Sequence, residues 1–275
     1  MDRLHKEIQR NPDRRNVVSH SLSHSLVQFD KEYYPGGIGI SMIGESDAEG
    51  DFQFEHSFPY VIPGDYPYVD EVQIDKISDR AGYYGLIDNI NLSVIFFIQN
   101  TAAVTGMFWK GAIPGTFSVR ISGLSLSASI LLPLQKSDSD ILYESEKRRD
   151  ELRKIRSARH GNQKLIEKMM MDEMDVRDTL DHRAITEDVL SIVDSSMIPY
   201  SLQCDTYDII GTILTVKEIE NSQTREQIYL MDVACLYYVI RIAVNKQDLV
   251  GEPMPGRRFR GVTWLQGTVS LDSIF

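Results

Sequence analysis

The chain has 275 residues, enough for one large or two modest domains. Its 42% hydrophobic and 25% charged residues exclude a disordered chain, and its formal net charge of −11 disfavours nucleic acid as a partner, because nonspecific binding depends on neutralising phosphates. No apolar run of about 18 residues occurs, so we expect no transmembrane helix and no membrane partner.

The first residues and the cysteines predict a cytoplasmic protein. Residues 1–7 lack the apolar core of a signal peptide, and the helical spacing of Leu4 and Ile8 predicts a short helix that ends by Arg10. Cys204 and Cys235 belong to no paired motif, which is typical of proteins from a reducing cytosol.

A tandem Ser-His-Ser-Leu repeat follows at residues 19–26. Its alternation predicts a strand, on which His20 and His24 would lie about 13 Å apart, too far to share one ion. Only a helix would bring the two side chains together as metal ligands. We therefore predict no metal site.

Residues 36–58 have the pattern of a β-hairpin. Apolar residues at 38–43 lead into an acidic turn at 45–51, and residues 52–58 return in strict alternation. The turn lacks the ligand spacing of a calcium loop, so we predict a solvated hairpin tip.

A loop rich in proline and tyrosine comes next, at residues 59–68. Its amphipathic rings, Tyr60, Tyr66 and Tyr68, on a backbone stiffened by proline would make a recognition surface. The simpler alternative is a rigid loop packed on its own domain.

Two further apolar segments complete an N-terminal domain. Residues 92–98 predict a buried strand or helix, and residues 117–133, where serine alternates with apolar residues, predict another strand. We expect residues 1–135 to form an α+β domain with a mainly antiparallel sheet.

The middle of the chain, residues 136–200, is predicted to be a helical connector. A basic stretch at 147–159 is interleaved with acids, which favours a solvated helix face over a nucleic-acid arm. A methionine-rich stripe at 165–174 fits core packing or an adaptable partner groove. The helices would form a separate bundle or a clasp between two β domains.

The last part, residues 201–275, is predicted to be a small OB-like β-barrel. A long strand at 207–219 precedes two strands within 227–245, with a bend near 235–238. A single helical turn at 245–250 and a hairpin of 258–264 with 268–271, joined at Gln266-Gly267, complete the order of that fold.

The sequence contains no motif of a known chemistry. A phosphate-binding loop, a nucleophile elbow and a zinc-binding helix are all missing, so we predict neither an enzyme nor a cofactor. A catalytic site built from residues distant in sequence stays open, since such sites are recognised by geometry.

Several phrases resemble an uncharacterised bacterial family, a domain of unknown function found mainly in Gram-positive anaerobes. They are Phe58-Pro59-Tyr60, Phe97-Ile98-Gln99-Asn100, Ser191-Ile192-Val193-Asp194 with Pro199-Tyr200, and Gly251-Glu252-Pro253 through Gly256-Arg257-Arg258-Phe259 to Trp264-Leu265-Gln266-Gly267. These phrases span most of the chain. The resemblance implies a bacterial cytoplasmic protein and supplies no catalytic residues.

Two functions remain as hypotheses. The first is a non-catalytic interaction or assembly protein that binds a protein partner through the loop at 59–68 or the barrel rim. The alternative is single-stranded nucleic-acid binding through the OB-like barrel. In that alternative the phosphates would contact Arg257, Arg258 and Arg260, and the bases would stack on Tyr237, Tyr238, Phe259 or Trp264.

Overall fold

The computed structural model describes residues 3–19, 24–77, 82–88, 93–111, 117–133, 193–200 and 205–271, with the single residues 154 and 171. Strands dominate these parts of the chain. The elements, in chain order, are α1 (Arg3–Arg10), β1 (Arg14–Ser19), β2 (His24–Tyr34), β3 (Ile38–Asp47), β4 (Phe52–Val61), β5 (Val69–Lys76), β6 (Tyr83–Asp88), β7 (Ser93–Ile98), α2 (Thr101–Trp109), β8 (Phe117–Leu131), β9 (Ser196–Pro199), β10 (Thr206–Glu220), β11 (Gln227–Cys235), β12 (Tyr238–Asn245), a 3-10 turn (Lys246–Asp248), β13 (Leu249–Val250) and β14 (Arg258–Val269).

The first four strands form an antiparallel sheet in the order β1-β2-β3-β4. The predicted hairpin at 36–58 is confirmed, since β3 and β4 pair with Ser41 opposite Phe58. In its acidic turn, Asp47 Oδ1 accepts hydrogen bonds from the backbone N–H groups of Glu49 (3.0 Å) and Asp51 (2.9 Å). The carboxylate therefore stabilises the turn itself.

A second sheet contains ten strands. Nine of them follow the order β11-β12-β8-β5-β6-β7-β14-β10-β9, β13 pairs with β8, and additional pairings join β10 to β11 and β8 to β14. Its longest ladder joins β8 to β14, from Leu131 opposite Arg258 to Val119 opposite Val269. The other edge of β8 pairs with β5 and β12, while the other edge of β14 pairs with β7 and β10. These two strands therefore organise the whole sheet.

The predicted α+β class and the predicted C-terminal OB-like barrel are wrong. The described residues are mainly β, and β8 lies between β12 and β14, so the C-terminal strands share one sheet with β5 to β8. Alternation of apolar and polar residues indicates which face of a strand is buried, but the strand's neighbours depend on pairings distant in sequence. The predicted domain boundaries, near residues 135 and 200, adjoin residues outside the described ranges and stay a prediction.

The predicted helical connector at 136–200 falls almost wholly outside the described residues. Its described end is a strand, because β9 pairs antiparallel with β10. Residues 20–23, which include His20, also lie outside the described ranges.

Several C-terminal elements match the prediction. The strand at 207–219 is β10, the bend divides β11 from β12 at residues 236–237, and the helical turn is the 3-10 turn after Asn245. The predicted final hairpin is wrong, since β14 runs without a break through Gln266 and Gly267. A Cβ atom at Gly267 would lie 2.3 Å from Phe96 Cε2, so this glycine makes room for a ring and does not form a turn.

An aromatic cluster packs the two sheets together. Phe58 of the first sheet contacts Phe97 of the second, with ring centroids 4.7 Å apart, and Phe97 contacts Trp264 at 5.5 Å. The short helix α2, which the sequence analysis missed, joins this cluster through the buried Ala102. The first sheet is thereby fixed against the ten-stranded sheet, and a cleft lies beside this contact.

Candidate functional site

A buried network of amide side chains joins the two sheets. Gln99, which follows β7, donates from Nε2 to Val61 O (2.8 Å) and to Gln266 Oε1 (2.6 Å). Gln266 on β14 in turn donates from Nε2 to Pro59 O at 2.7 Å. Both glutamines are buried, so these bonds satisfy polar groups that water cannot reach. The network fixes the end of β4 onto the large sheet.

A second group of polar side chains continues the network into the first sheet. Gln28 on β2 donates from Nε2 to Gln99 O (2.9 Å) and to Asp30 Oδ1 (3.1 Å), and its Oε1 accepts from the backbone N–H of Ala102 (3.0 Å). The Ser41 hydroxyl donates to Asp30 Oδ1 at 2.7 Å. Gln28 therefore connects the start of α2 with a buried carboxylate.

Three members of this network, Pro59, Gln99 and Gln266, come from phrases that carry the family resemblance. Phe58-Pro59-Tyr60, Phe97-Ile98-Gln99-Asn100 and Trp264-Leu265-Gln266-Gly267 meet here although they are far apart in sequence. The junction between the sheets is thus the place in the described structure where these phrases converge.

A half-open cleft of about 200 Å³ lies over this junction. Its lining is about equally polar and apolar and includes two arginines and two of the predicted tyrosines. The lining residues are Arg14, Asn16, Gln28, Asp30, Ser41, Phe58, Tyr60, Ile62, Pro63, Tyr68, Gln99, Asn100, Arg120, Thr268 and Val269.

One wall of the cleft pairs Arg14 with Tyr60. Arg14 on β1 stands opposite Asp30 on β2, with 3.5 Å between Arg14 Nε and Asp30 Oδ2, and its guanidinium lies 5.5 Å from the centroid of the Tyr60 ring. Burial raises the pKa of the Tyr60 hydroxyl to about 12, although the Arg14 charge opposes the shift. Tyr60 is therefore protonated at neutral pH.

A second arginine–tyrosine pair in the lining is Arg120 with Tyr68. The Arg120 guanidinium lies 4.2 Å from the centroid of the half-exposed Tyr68 ring, and its Nε donates to Tyr66 O at 2.8 Å. Its Nη2 contacts Asp65 Oδ1 at 2.7 Å, and the Asp65 side chain is 94% exposed. Arg120 is thus held against a ring while its Nη2 contacts a solvated carboxylate.

Tyr66 does not line the cleft but anchors the loop that forms its rim. Its hydroxyl donates to Asp232 Oδ2 at 3.0 Å. Asp232 on β11 also accepts from Arg241 Nε (2.8 Å) and from the Thr215 hydroxyl (2.9 Å). Burial would raise the pKa of Asp232, but these hydrogen bonds outweigh it and lower the pKa.

The three predicted arginines of the C-terminal part lie away from the cleft and contact protein groups. Arg257 donates to Glu252 O (2.7 Å), and Arg260 Nη2 contacts Asp208 Oδ2 at 3.1 Å. Arg258 is buried and donates to Leu132 O (2.9 Å) and Val193 O (2.8 Å). These contacts hold strands and turns together.

The aromatic residues proposed for base stacking are largely covered. Phe259 and Tyr238 are buried, and Tyr237 is half-buried beside Tyr238. Trp264 packs on Phe97 and donates from Nε1 to Asp205 Oδ2 at 2.6 Å. The ring faces of Phe259 and Tyr238 are therefore not available to bases in this conformation.

Sequence reasoning found Tyr60 and Tyr68 of the cleft and missed both arginines. Arg14 and Arg120 belong to no motif, and only the strand pairings bring β1 and β8 to the same cleft. The sequence did contain a signal for the junction beside the cleft, because Gln99 and Gln266 lie in phrases that carry the family resemblance. The resemblance alone assigned these glutamines no role.

The described residues hold no group of three or more His, Cys, Asp or Glu side chains that could bind a metal ion. In the same parts of the chain, none of the helices is both long and apolar enough to cross a membrane.

A family model described as "Domain of unknown function, E. rectale Gene description (DUF3881)" matches residues 1–267. Its description names a Gram-positive anaerobe, which confirms the resemblance seen in the sequence. Neither a curated protein nor a solved structure matches the chain. Since the match covers nearly the whole chain, the chain belongs to the DUF3881 family, whose domain has no assigned function.

Proposed function

We propose that this protein is a non-catalytic interaction protein that binds a segment of a partner protein in the cleft between its two sheets. The observation that carries the proposal is the pair of arginine–tyrosine contacts, Arg14 with Tyr60 and Arg120 with Tyr68, on the walls of one cleft. Tyrosine and arginine are the residue types most enriched among the energetically dominant positions of protein interfaces.

The size of the cleft favours a protein segment over a whole small molecule. Sites for drug-sized ligands occupy about 300 to 1,000 Å³. The cleft, at about 200 Å³, has room for one or two anchoring side chains. The rest of the segment would lie along the rim, where the Tyr68 side chain is 40% exposed.

The chemistry of the cleft favours binding over catalysis. A general acid or base works best with a pKa near the working pH, whereas the pKa of Tyr60 is raised to about 12. Asp30 already accepts hydrogen bonds from Gln28 (3.1 Å) and Ser41 (2.7 Å). The Asp30 carboxylate thus takes part in the hydrogen-bond network that joins the sheets.

Photo-crosslinking tests the proposal. p-Benzoylphenylalanine at position 68 keeps an aromatic ring at the rim, and the same group at position 126, where the native leucine is 65% exposed, is the matched control. We expect one defined adduct from position 68 in cells and none from position 126. The adduct protein, once purified, should bind the Arg14→Ala variant more than about fivefold more weakly than the wild type. Equal labelling from both positions, or no adduct, would contradict the proposal.

Single-stranded nucleic-acid binding and a cytoplasmic location stay predictions. Fluorescence-anisotropy titration with labelled DNA and RNA at low and moderate salt tests the former. Arg257→Ala with Arg260→Ala is the appropriate control, since Arg258 is buried and its replacement would disturb the fold. Binding that weakens with salt and with this double substitution would favour the nucleic-acid alternative.

A further inference from the structure

The ion pair between Arg120 and Asp65 has two very unequal partners. The Arg120 side chain is 31% exposed and is fixed by two other contacts, with Tyr66 O and with the Tyr68 ring. The Asp65 side chain is 94% exposed. Ordering the arginine therefore costs little further when a ligand binds, and the aspartate can turn into solvent at little cost.

The position beside Arg120 Nη2 is shaped for a carboxylate. A carboxylate oxygen, Asp65 Oδ1, already occupies it at 2.7 Å, the short distance of a charge-assisted hydrogen bond. The arginine lines the cleft, while Asp65 belongs to the loop before Tyr66 and is not among the lining residues. A carboxylate in the cleft would therefore compete with Asp65 for the same guanidinium.

We propose that the cleft binds a glutamate or aspartate side chain of its partner at Arg120, and that Asp65 competes with this side chain for the guanidinium. The inference rests on the proposed function and specifies the chemistry of the segment that is bound. Arg14 also lines the cleft and is paired with Asp30, so the two arginines outnumber the one carboxylate among the lining residues.

Because Asp65 competes, neutralising it should strengthen binding. An exposed ion pair contributes little, so we expect Asp65→Asn to raise the affinity for a carboxylate roughly 1.5- to fivefold. Glu49→Gln, at the exposed tip of the β3–β4 hairpin, changes the net charge equally and should leave the affinity unchanged. A change of net charge alone would affect both variants alike.

Nuclear magnetic resonance of the full chain measures this directly, with N-acetylglutamate methylamide as the probe and N-acetylglutamine methylamide as its uncharged control. The Nε–H resonance of Arg120, assigned by its loss in Arg120→Lys, should shift and saturate with the glutamate probe only. Asp65→Asn should lower the dissociation constant of the glutamate probe roughly 1.5- to fivefold. Equal responses to both probes, no response, or an unchanged constant in Asp65→Asn would each overturn the inference.

The two proposals fail in different ways. A partner that crosslinks at position 68, combined with an Arg120 resonance that ignores the glutamate probe, keeps the protein-binding cleft and removes the carboxylate. A glutamate-dependent shift without any crosslinked partner keeps the carboxylate site and removes the protein partner.

Discussion

Removing the carboxylate of Asp232 should destabilise the protein far more than removing that of Asp65. The Asp232 side chain is 7% exposed and its partner Arg241 is 25% exposed. Asp232→Ala deletes the acceptor for Arg241, Tyr66 and Thr215 together and leaves the guanidinium without its counter-charge. Breaking a buried pair in this way costs about 3 to 5 kcal/mol, and the partial exposure of Arg241 places the expectation near the lower end.

Urea unfolding at neutral pH measures the effect. The free energy of unfolding follows from the transition midpoint and slope, provided that fluorescence and circular dichroism give coincident transitions. Asp65→Ala, which breaks an exposed ion pair, is the matched control and should cost less than about 1 kcal/mol.

A double variant separates the unpaired charge from the lost packing. Asp232→Leu with Arg241→Met removes both charges and keeps apolar volume, so it should be more stable than Asp232→Ala. If Asp232→Ala cost no more than Asp65→Ala, or if the double variant were the least stable, the reasoning about this buried pair would be refuted.

Three further predictions concern pH and packing. Folding lowers the pKa of Asp232 below its ordinary value of 3.8. The ionised carboxylate therefore stabilises the fold above pH 3.8, and this stabilisation is lost as the pH falls below that value. When the unfolding free energy is measured at decreasing pH, Asp232→Asn should lose less of it than the wild type. Burial raises the pKa of Tyr60 from 10.0 to about 12. The stability of the wild type should therefore fall between these two pH values more than the stability of Tyr60→Phe does. Ultraviolet titration should show one late-titrating tyrosine fewer in the variant. Gly267→Ala would place a Cβ 2.3 Å from Phe96 Cε2 and should lower the unfolding free energy by about 1 to 3 kcal/mol. Gly82→Ala is the control, because its Cβ would meet only the flexible end of the Ile77 side chain, at 3.2 Å. It should be nearly neutral in the same urea assay.

Local patterns predicted individual strands well, because the face that a residue occupies is fixed by the period of the backbone. The hairpin of β3 and β4 followed from alternation and turn residues, and the bend between β11 and β12 followed from the excessive length that one straight strand would have had. The predicted break at Gln266-Gly267 failed since glycine has two uses in a strand, and the close approach of Phe96 that requires it comes from a strand distant in sequence.

The candidate site was predictable only in part for the same reason. Tyr60 and Tyr68 were found because proline and tyrosine lie together in one short stretch. Arg14 and Arg120 reach the cleft through β1 and β8, which belong to different sheets. Nothing local marks them, since an arginine on a strand has the same pattern whether its guanidinium faces a cleft or open solvent.

The β8–β14 ladder has a consequence for how the chain is made. β8 leaves the ribosome about 130 residues before β14, which at bacterial or eukaryotic synthesis speeds is a delay of roughly 6 to 26 s. Throughout that interval one edge of β8 lacks the partner it has in the finished sheet, and β7 lacks its neighbour as well. Such edges are templates for pairing with other chains. The nascent protein should therefore depend on early chaperone protection more than a chain of equal length whose neighbouring strands are also neighbours in sequence.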